Sequence, residues 1–595
     1  MLPKKKTSLE EVKEKYKNSN YVEALTLINQ IEEKDYSFYL LRSKIYFKIN
    51  EFYLALKDLR ECLYEKNNKP VPYQMSSKCY LKMYDYWNAN RNLEEAKRLS
   101  SSSNENSIIL KMIQNTKKEN TENSQKINGY HNYLNFMQVL YSSGIYINKV
   151  TVKWKINLKR RFFPSEDIKK KSIKSKKMQK NNIYNENSKR CIFASEEIKK
   201  NDILIRVPHN LLITLDLAKK SKIGKNFDES LQMKLSSPVH CILAVFLIME
   251  SIKNKKKKKE ISNWDYYFNF LPSSLRSFPI YYNAEEMELL KKTQFYHKVL
   301  KKKEKLQKDY VLICEKYSKF KKINYSYFCY FREIVSSRIF GVTMNGKQNY
   351  IIVPFADLMN HRRFKRVECF YDDNQNAFCV KAIKDLKPDL EVCACYGRKS
   401  NARFLLNYGF TKAKNEDDEI KIVLSLNEND KNYMEKIKIL GNSTNKFYLI
   451  KNCRDEESLL FFACVRLMEF EGNCKNVNPK IPINIKNELN MLKKVESIMD
   501  VQLKNYGISL HEKIQSFKKN KKKMSYNEIN INNIIIGEMR IFQYFKDLSI
   551  KCRFLFEKGK TAIEKVVSNK ERYYQEYQEY IKEVLEHIFP ENQEK

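Results

Sequence analysis

The residues of this chain that are best suited to chemistry lie between Asp357 and Phe410. Two segments stand out there, DLMNH at 357–361 and YGRKSNARFLLNYGF at 396–410. Together they supply a carboxylate, an amide, an imidazole and phenols, all of which form directional hydrogen bonds. Neither a metal-ligand spacing nor a phosphate-binding glycine loop accounts for both segments. Taken singly, the Asn-His pair also fits a hydrogen-bonded turn, and a tyrosine fits a packed strand.

The cysteines do not predict a metal site. Cys393 and Cys395 stand two apart on an expected strand and so point to one face, which makes them candidate ligands. No CxxC pair and no clustered histidine accompanies them, so we predict no bound metal. The 14 cysteines are scattered along the chain. Reduced thiols, and therefore the cytosol or nucleus, are the expected setting.

The elements that must position these residues change type along the chain. From Cys191 onward, CIFASEEI, DILIRVP and LLITLD alternate apolar and polar residues, which predicts short strands. Residues 225–335 return to helical spacing, and IIVPFADL, CFYDD, AFCVKAI and EVCACYG predict strands again. The C-terminal part is helical, with an apolar helix at Leu459 to Leu467 and amphipathic patterns at 487–503 and 536–556. The sequence therefore predicts a multidomain α+β protein whose β unit is split by a helical insert.

Taken in order, these features resemble the SET-domain methyltransferases, in the branch that includes the RuBisCO large-subunit and actin-histidine methyltransferases. The matching positions are Arg338 of SSRIFG, Asp357, Asn360 and His361 of DLMNH, Tyr396 of CYG, Ser400, Asn401, and Tyr408 to Phe410. WDYYFNFLP at 264–272 resembles the signature of the insert. NELNMLKKVESIM and EMRIFQYFKDL resemble the helical substrate-binding domain that follows SET in this branch. The resemblance covers about residues 130–590.

The resemblance implies S-adenosyl-L-methionine as the methyl donor. Asn360 and His361 are then expected to hold it through side-chain and backbone hydrogen bonds. Arg338 is expected to meet its carboxylate, to which a guanidinium can fork two bonds. Tyr408 to Phe410 are expected to close over it. The implied cofactor-binding residues are Arg338, Asp357, Leu358, Met359, Asn360, His361, Tyr408, Gly409, Phe410, Ser188, Lys189 and Arg190.

The resemblance also implies a catalytic tyrosine and an acceptor type. Tyr396 matches the catalytic position, where a phenol orients the acceptor amine and stabilises charge near the methyl group. Phe340 lies two residues after the family arginine, where the histidine-directed member has Asn and lysine-directed members tend to be aromatic. An apolar wall suits the aliphatic stem of a lysine. We therefore expect Phe340 to line the substrate channel of a lysine-directed enzyme, with a core aromatic as the alternative.

One segment departs from the pattern of this branch. Where its members have a glycine-rich turn against the cofactor, this chain has Ser188, Lys189, Arg190 and Cys191. Glycine permits close backbone approach and unusual backbone angles. We therefore expect Lys189 and Cys191 to narrow the pocket or to shift the strand.

The N-terminal region has a helical pattern of its own. An aromatic residue or Leu followed three positions later by Ala recurs at Tyr21 to Ala24, Phe52 to Ala55 and Leu93 to Ala96. This resembles a divergent tetratricopeptide repeat, with a plain helical bundle as the alternative. The predicted domains are 1–115 helical repeats, 116–184 linker and lead-in, 185–411 SET with an insert at about 220–335, and 412–595 helical substrate-binding domain.

Charge and hydropathy restrict the partners. The chain has 111 Lys and Arg against 71 Asp and Glu, a net charge of +40. This excess is spread along the whole length, so it does not by itself predict a nucleic-acid partner. The longest apolar run, Ile242 to Met249, is far shorter than the ~20 residues that cross a bilayer. We expect a protein substrate, an additional protein partner on the N-terminal repeats, and no membrane.

Two functions from different classes remain open at this stage. The first is a protein lysine methyltransferase that acts on a non-histone protein. The second is a protein-binding module on a SET scaffold that has lost activity together with the glycines of its cofactor turn. A histone-lysine or protein-histidine methyltransferase is a further alternative, because a fold does not specify its substrate.

Overall fold

The structure is a computed structural model of the chain. It describes residues 8–49, 51–65, 68–82, 86–100, 106–114, 136–137, 139–155, 189–256, 264–272, 274–451, 453, 455–569 and 571–590. These residues belong to two compact units. Unit 1 comprises Met1–Tyr146, Val152–Cys191 and Lys257–Pro272, and unit 2 comprises Ile147–Thr151, Ile192–Lys256 and Ser273–Lys595. Of the predicted linker and lead-in at 116–184, only residues 136–137 and 139–155 are described, and the predicted domain limits stay predictions.

Unit 1 is helical at its N-terminal end. Its first six helices are α1 Leu9–Lys17, α2 Tyr21–Ile28, α3 Tyr36–Lys48, α4 Phe52–Glu65, α5 Pro70–Lys82 and α6 Tyr86–Leu99. Consecutive helices pack in pairs, and the predicted contact residues Ala24, Ala55 and Ala96 are fully buried. A helical N-terminal region is therefore confirmed, and the tetratricopeptide repeat stays a prediction.

The strands begin after this helical region. They are β1 Tyr146–Ile147, β2 Val150–Lys155, β3 Lys189–Ala194, β4 Ile203–Pro208, β5 Ile213–Thr214, β6 Ile339–Met344, β7 Lys347–Ile352, β8 Val367–Asp372, β9 Ala377–Ala382, β10 Glu419–Ser425 and β11 Asn445–Lys451. In unit 2, β4, β9 and β8 are neighbours in one antiparallel sheet. A second sheet has the order β5, β7, β6, and β10 pairs with β11.

The remaining helices lie between and after these strands. They are α7 Leu215–Lys220, α8 Glu229–Lys234, α9 Pro238–Lys256, α10 Asp265–Phe270, α11 Ala284–Leu290, α12 Gln294–Lys316, α13 Tyr325–Arg338, α14 Asn401–Tyr408, α15 Tyr433–Ile439, α16 Glu456–Met468, α17 Ile485–Lys504, α18 Leu510–Asn520, α19 Tyr526–Phe556, α20 Lys560–Asn569 and α21 Gln578–Ile588. The helical stretch between the strands and the helical C-terminal part agree with the sequence prediction. Among the described residues, no helix is long and apolar enough to cross a membrane.

A tight hairpin carries the chain from α13 to the candidate site. Strands β6 and β7 are joined by Asn345 and Gly346, whose φ angles are 47° and 72°. Two successive residues with positive φ form the turn whose twist matches that of an antiparallel strand pair. The hairpin thereby brings the residues after β7 back to the end of α13.

One predicted strand is absent. The segment EVCACYG at 391–397 makes only isolated bridges, Phe193 to Glu391 and His361 to Ala394. Val392 donates to the carbonyl of Ile192, and Ala394 donates to that of Asn360. The segment thus pairs first with β3 and then with residues 360–362. Each pairing is too short to form a ladder, which periodicity alone could not reveal.

One apolar core joins the insert, α14 and the C-terminal helices within unit 2. Phe295 of α12, Leu405 of α14 and Ile535 of α19 belong to the same buried cluster. The carboxylate of Glu538 on α19 accepts hydrogen bonds from the backbone N–H groups of Gln294 and Phe295. It therefore satisfies donors that the first turn of α12 leaves open.

Candidate active site

The site begins with a buried ion pair between α13 and the turn after β7. Arg338 is the last residue of α13, and its Nη1 donates to Oδ2 of Asp357 at 2.7 Å. The Asp357 side chain is buried, and the Arg338 side chain is nearly so. A bond between a guanidinium and a carboxylate is charge-assisted. It fixes the position of the 357–361 segment relative to the helix.

An unusual backbone conformation precedes this segment. Phe355 has φ 75° and ψ −51°, and its side chain is buried. A positive φ is costly for a residue with a bulky side chain and persists only where the surroundings enforce it. The turn directs the chain from β7 into the short helix Ala356–Leu358, where Asp357 meets Arg338.

The side-chain amide of Asn360 has a fixed orientation. Its Nδ2 donates to Oε1 of Glu391 at 2.7 Å. The backbone carbonyl oxygen of Asn360 accepts from the N–H of Ala394. A carboxylate at neutral pH accepts hydrogen bonds and cannot donate them. The NH₂ group of Asn360 must therefore face Glu391, and its Oδ1 must point away.

The imidazole of His361 is held in one tautomer. The backbone N–H of Tyr396 donates to His361 Nδ1 at 3.1 Å. Because an N–H only donates, Nδ1 carries no proton and the neutral ring carries its proton on Nε2. Burial, assisted by the positive charges of Lys412 and Lys399, lowers the pKa of His361 to about 4. The ring is therefore neutral at physiological pH.

Aromatic rings surround His361. Its centroid lies 4.5 Å from that of Phe404 and 5.3 Å from that of Tyr396. Tyr396 and Tyr408 are stacked with centroids 4.9 Å apart and planes at 25°. The ring of Phe410 stacks on Phe404 at 5.0 Å. These rings form a continuous aromatic wall.

The phenol of Tyr396 is part of this wall. Its hydroxyl donates to the carbonyl of Met359 at 2.5 Å. Burial raises the pKa of Tyr396, while the nearby charge of Arg338 opposes the shift. The phenol therefore stays protonated at neutral pH and remains a hydrogen-bond donor.

A buried lysine holds the end of α14 from the insert side. The Nζ of Lys302 on α12 donates to the carbonyl of Leu406 and to Oε2 of Glu333 on α13, both at 2.7 Å. The side chains of Lys302 and Glu333 are 15% and 0% exposed. Leu406 lies two residues before Tyr408, so this pair fixes the helix end that carries the stacked tyrosine.

A glycine ends the same helix. Gly409 has φ 71°, and a Cβ there would lie 2.6 Å from Oγ of Ser277 and 2.9 Å from Cδ2 of Phe278. Only glycine combines this left-handed conformation with so close an approach. The turn directs Phe410 back toward Phe404.

Ser400 and Asn401 anchor the start of α14. Asn401 donates from its backbone N–H and its Nδ2 to Asp418, at 2.6 and 2.9 Å. Burial raises the pKa of Asp418 to about 6. Ser400 donates to Glu419. These contacts position the helix from outside the aromatic wall.

The other predicted site residues lie in different surroundings. The side chains of Leu358 and Met359 are buried. Phe340 on β6 packs edge-on against the buried Phe378 at 5.2 Å. Ser188 lies outside the described residues, and the side chain of Lys189 is not described. In unit 1, Arg190 donates from Nη1 to the carbonyl of Phe270 at 2.5 Å and covers its ring.

Sequence reasoning missed three residues that build the site. Phe404 had a readable signal, because Asn401, Phe404, Leu405 and Tyr408 follow helical spacing on one face. Glu391 and Lys302 had none, since each meets its partner across at least 31 positions of the chain.

Comparison with known proteins places this site in a family. Residues 189–397 match the family described as SET domain. This segment of the chain is similar to a SET domain. Of the aromatic wall, His361 and Tyr396 lie inside the matched segment, whereas Phe404, Tyr408 and Phe410 follow it.

Two relatives illustrate what this SET protein is similar to. Actin-histidine N-methyltransferase of Gallus gallus is 24% identical over 347 residues, which cover 52% of this chain and 56% of that protein. The chloroplastic ribulose-1,5 bisphosphate carboxylase/oxygenase large subunit N-methyltransferase of Nicotiana tabacum is 28% identical over 254 residues, 40% of this chain and 48% of that protein. The chain thus spans about half the length of each relative.

Solved structures share the fold of this SET protein. One is described as the SET domain of LSMT bound to lysine and AdoHcy, with a TM-score of 0.53 and 18% identity. Another is Rubisco LSMT bound to AdoMet, with a TM-score of 0.53 and 19% identity. Each match covers 78% of this chain and 97% of the other. The SET fold predicted from the sequence is confirmed.

The neutral His361 of the SET domain predicts a pH dependence of stability. Its folded pKa of about 4 lies below the ordinary 6.5, so between these values the unfolded chain binds a proton that the folded chain does not. Stability must therefore fall as the pH drops from about 6.5 toward 4. Replacing His361 by Asn should reduce the loss between pH 7 and pH 5 by on the order of 1 kcal/mol, measured by denaturation at both pH values. The exposed His297→Asn is the matched control, and an unchanged pH slope in His361→Asn would contradict the assignment.

Proposed function

We propose that the chain is an S-adenosylmethionine-dependent protein methyltransferase that modifies a lysine side chain of a non-histone protein. The observation that carries this proposal is the position of Tyr396. Its backbone N–H meets His361 and its hydroxyl meets the residue before Asn360. The tyrosine assigned to catalysis and the Asn-His pair assigned to the cofactor thus lie at one aromatic cluster, within the segment that matches the SET domain.

The residues present fit the cofactor on chemical grounds. Its amino-acid end, its adenine and its sulfonium need donors, acceptors and aromatic surface. Arg338, the oriented amide of Asn360 and the Tyr396–Tyr408 stack supply these groups. We assign the holding of the cofactor to Arg338, Asp357 to His361, and Tyr408 to Phe410. The crystallisation of Rubisco LSMT with AdoMet supports the choice of S-adenosylmethionine as the cofactor.

When bound, the cofactor supplies an electrophilic methyl group on a positively charged sulfur. The protein must then align the acceptor nitrogen and exclude water. The Tyr396 hydroxyl donates its proton to the carbonyl of Met359, so its oxygen can accept a hydrogen bond from the acceptor amine and orient it. His361 is not placed to act as a base, because its Nδ1 already accepts from Tyr396.

The acceptor must lose a proton before it reacts, if it is a lysine. Burial and like charge both favour the neutral amine. Lys399 donates from Nζ to the carbonyl of Tyr396 at 2.5 Å, and Lys412 acts on the neighbouring His361. These cations make the pocket unfavourable for an ammonium group. Because nearby positive charge favours the neutral form of the lysine amine, the reaction does not require a dedicated general base.

The choice of lysine over histidine rests on Phe340. Its ring contacts Phe378 and offers an apolar surface rather than a hydrogen-bonding group. Relatives of both kinds match the chain, one named for actin histidine and one for Rubisco. A histidine acceptor and a histone lysine are therefore the alternatives that substrate mapping distinguishes. We place the enzyme in the cytosol or nucleus and assign a further protein partner to the N-terminal helices.

An inactive SET scaffold is the second candidate. The observation in its favour is the segment where Lys189 and Cys191 stand at the glycine positions of the cofactor turn. Titration with S-adenosylhomocysteine separates the two candidates, because a ligand that binds only the folded protein raises its melting temperature. The enzyme predicts a clear rise, and no rise at millimolar ligand favours the scaffold.

Asn360→Ala tests the cofactor assignment. Loss of a hydrogen bond to a charged ligand costs about 2 kcal/mol, so the dissociation constant for S-adenosylhomocysteine should rise about thirty-fold. Calorimetric titration measures it. Asn349→Ala removes a partly exposed amide from β7 and should leave the affinity unchanged. Equal affinities of wild type and Asn360→Ala would show that the amide does not hold the cofactor.

A further inference from the structure

A basic segment follows the site directly. Residues 362–366 have the sequence RRFKR, and we call them the basic rim. The rim is tied to the site through the backbone, because Arg362 donates its N–H to the carbonyl of Ala394, two residues before Tyr396. Whatever binds the rim therefore lies close to the candidate catalytic residue.

Two of the rim's four cations hold it in place. Arg363 forms ion pairs with Asp417 and Glu416, with Nε 3.1 Å from Oδ2 of Asp417. Arg366 donates from Nη1 to the carbonyl of Glu391 at 2.9 Å. Because these two guanidinium groups bind neighbouring segments, the rim has a defined conformation.

The three other rim side chains are exposed. Phe364 is 70% exposed, and Arg362 and Lys365 are also exposed. Within the described part of the chain, neither of these two cations forms an ion pair or a side-chain hydrogen bond. A rigid segment thus presents a large apolar ring between two available positive charges. An exposed aromatic between cations is typical of a binding surface rather than of an inert one.

The surroundings of the rim add to its positive charge. The charges of Lys412 and Lys399 reach the ring of His361, which immediately precedes the rim. The negative charges of Glu416 and Asp417 are already paired with Arg363. The rim and the neighbouring pocket therefore favour a negatively charged partner.

We infer that the basic rim docks an acidic segment of the protein substrate, with carboxylates on Arg362 and Lys365 and an apolar side chain on Phe364. This inference rests on the proposed methyltransferase function, because it names the class of substrate for the same site. The preferred acceptor is a lysine flanked by Asp or Glu and by one large apolar residue. Such flanks would also offset the repulsion between an incoming lysine and the cationic pocket.

Direct binding of peptides tests this inference without requiring turnover. The probes are three fluorescent twelve-residue peptides with one central Lys, one Leu, and flanks of Glu, of Ser or of Arg. Anisotropy is measured with the full chain in the presence of S-adenosylhomocysteine. The Glu peptide should bind at least about ten-fold more tightly than the Ser peptide, and the preference should shrink at high salt.

Variants locate the preference on the rim. R362E/K365E should weaken binding of the Glu peptide about ten-fold or more. K305E/K308E makes the same charge change on the exposed face of α12 and should leave binding within about two-fold. Phe364→Ala should weaken binding of the Glu peptide but not of a fourth peptide in which Ser replaces its Leu, and this comparison separates docking from a change in folding.

Three results would overturn the inference: no preference for the Glu peptide, a preference that R362E/K365E leaves intact, or tighter binding of a single-stranded oligonucleotide. Separate titration with S-adenosylhomocysteine keeps this failure distinct from that of the proposed function. If the chain binds the cofactor but shows no preference for the acidic peptide, only the inference about the rim is wrong. If it prefers the acidic peptide but does not bind the cofactor, the proposed enzymatic function is wrong and the rim remains a docking surface.

Discussion

Tyr396→Phe should lower the rate of methyl transfer by about 10²–10⁴-fold, the usual contribution of a positioned acid-base or hydrogen-bonding group. The variant keeps the ring that stacks on Tyr408 and removes only the hydroxyl that donates to Met359. Cofactor affinity should therefore change little. The rate is measured as transfer of labelled methyl to an acceptor found by labelling a lysate and mapping the modified residue.

Tyr371→Phe is the matched control for this experiment. Tyr371 lies on β8, and its hydroxyl bonds to Asn376 and His209 rather than to the site. The Tyr371→Phe variant also loses one phenol hydroxyl in unit 2. Because that hydroxyl lies outside the site, the rate of methyl transfer should match that of the wild type. Full activity of Tyr396→Phe on a mapped acceptor would remove Tyr396 from catalysis, whereas equal losses in both variants would indicate a folding effect.

Lys302→Met should destabilise unit 2 by about 3–5 kcal/mol, because it leaves the carboxyl group of Glu333 buried without its cation. Burial already raises the pKa of Glu333, and Lys302 opposes that shift. Without Lys302 the folded pKa rises further above the unfolded value. Stability is then lost as the pH rises from the unfolded pKa toward the folded one. Scanning calorimetry should show a larger deficit at pH 8 than at pH 5.

Lys302→Met/Glu333→Met separates this electrostatic penalty from positioning of the site. Replacing both partners by apolar residues removes the buried charges and should restore most of the stability. The carbonyl of Leu406 still lacks its donor, so cofactor affinity should stay below that of the wild type. Lys305→Met, at an exposed position of the same helix, should change stability by less than about 0.5 kcal/mol. A double variant no more stable than Lys302→Met would contradict the assignment of the cost to Glu333.

Local features of this fold were readable from the sequence. Alternation predicted β3, β4, β5, β7, β8 and β9 but not β6, although the Asn345-Gly346 pair before β7 is a hairpin signal in its own right. Asn360, His361 and Tyr396 were chosen from their order in the chain. In the structure, the N–H of Tyr396 donates to His361, and its hydroxyl donates to the carbonyl of Met359, the residue before Asn360. Short-range patterns set by strand period, turn chemistry and motif spacing are present in the sequence itself.

The remaining features depend on contacts between distant parts of the chain. The 391–397 segment alternates like a strand, but it is divided between two neighbours that sequence period cannot identify. Glu391 was predicted only as the first residue of that strand, and its bond to Asn360 depends on the contacts of the segment with distant parts of the chain. The partner of Lys302 on α14 lies more than 100 positions away. Hydrogen-bonded pairs of this kind form only when the chain packs in three dimensions, so a single sequence does not reveal them.

The apolar core shared by α12, α14 and α19 has a consequence for how fragments of this protein behave. The segment that matches a known family ends at residue 397, but Leu405 and Ile535 complete the core around Phe295. A recombinant fragment cut at that limit would leave Phe295 and its neighbours facing water and should aggregate. A premature stop codon anywhere before α19 should do the same, so the shortest autonomous version of this enzyme candidate must extend through that helix.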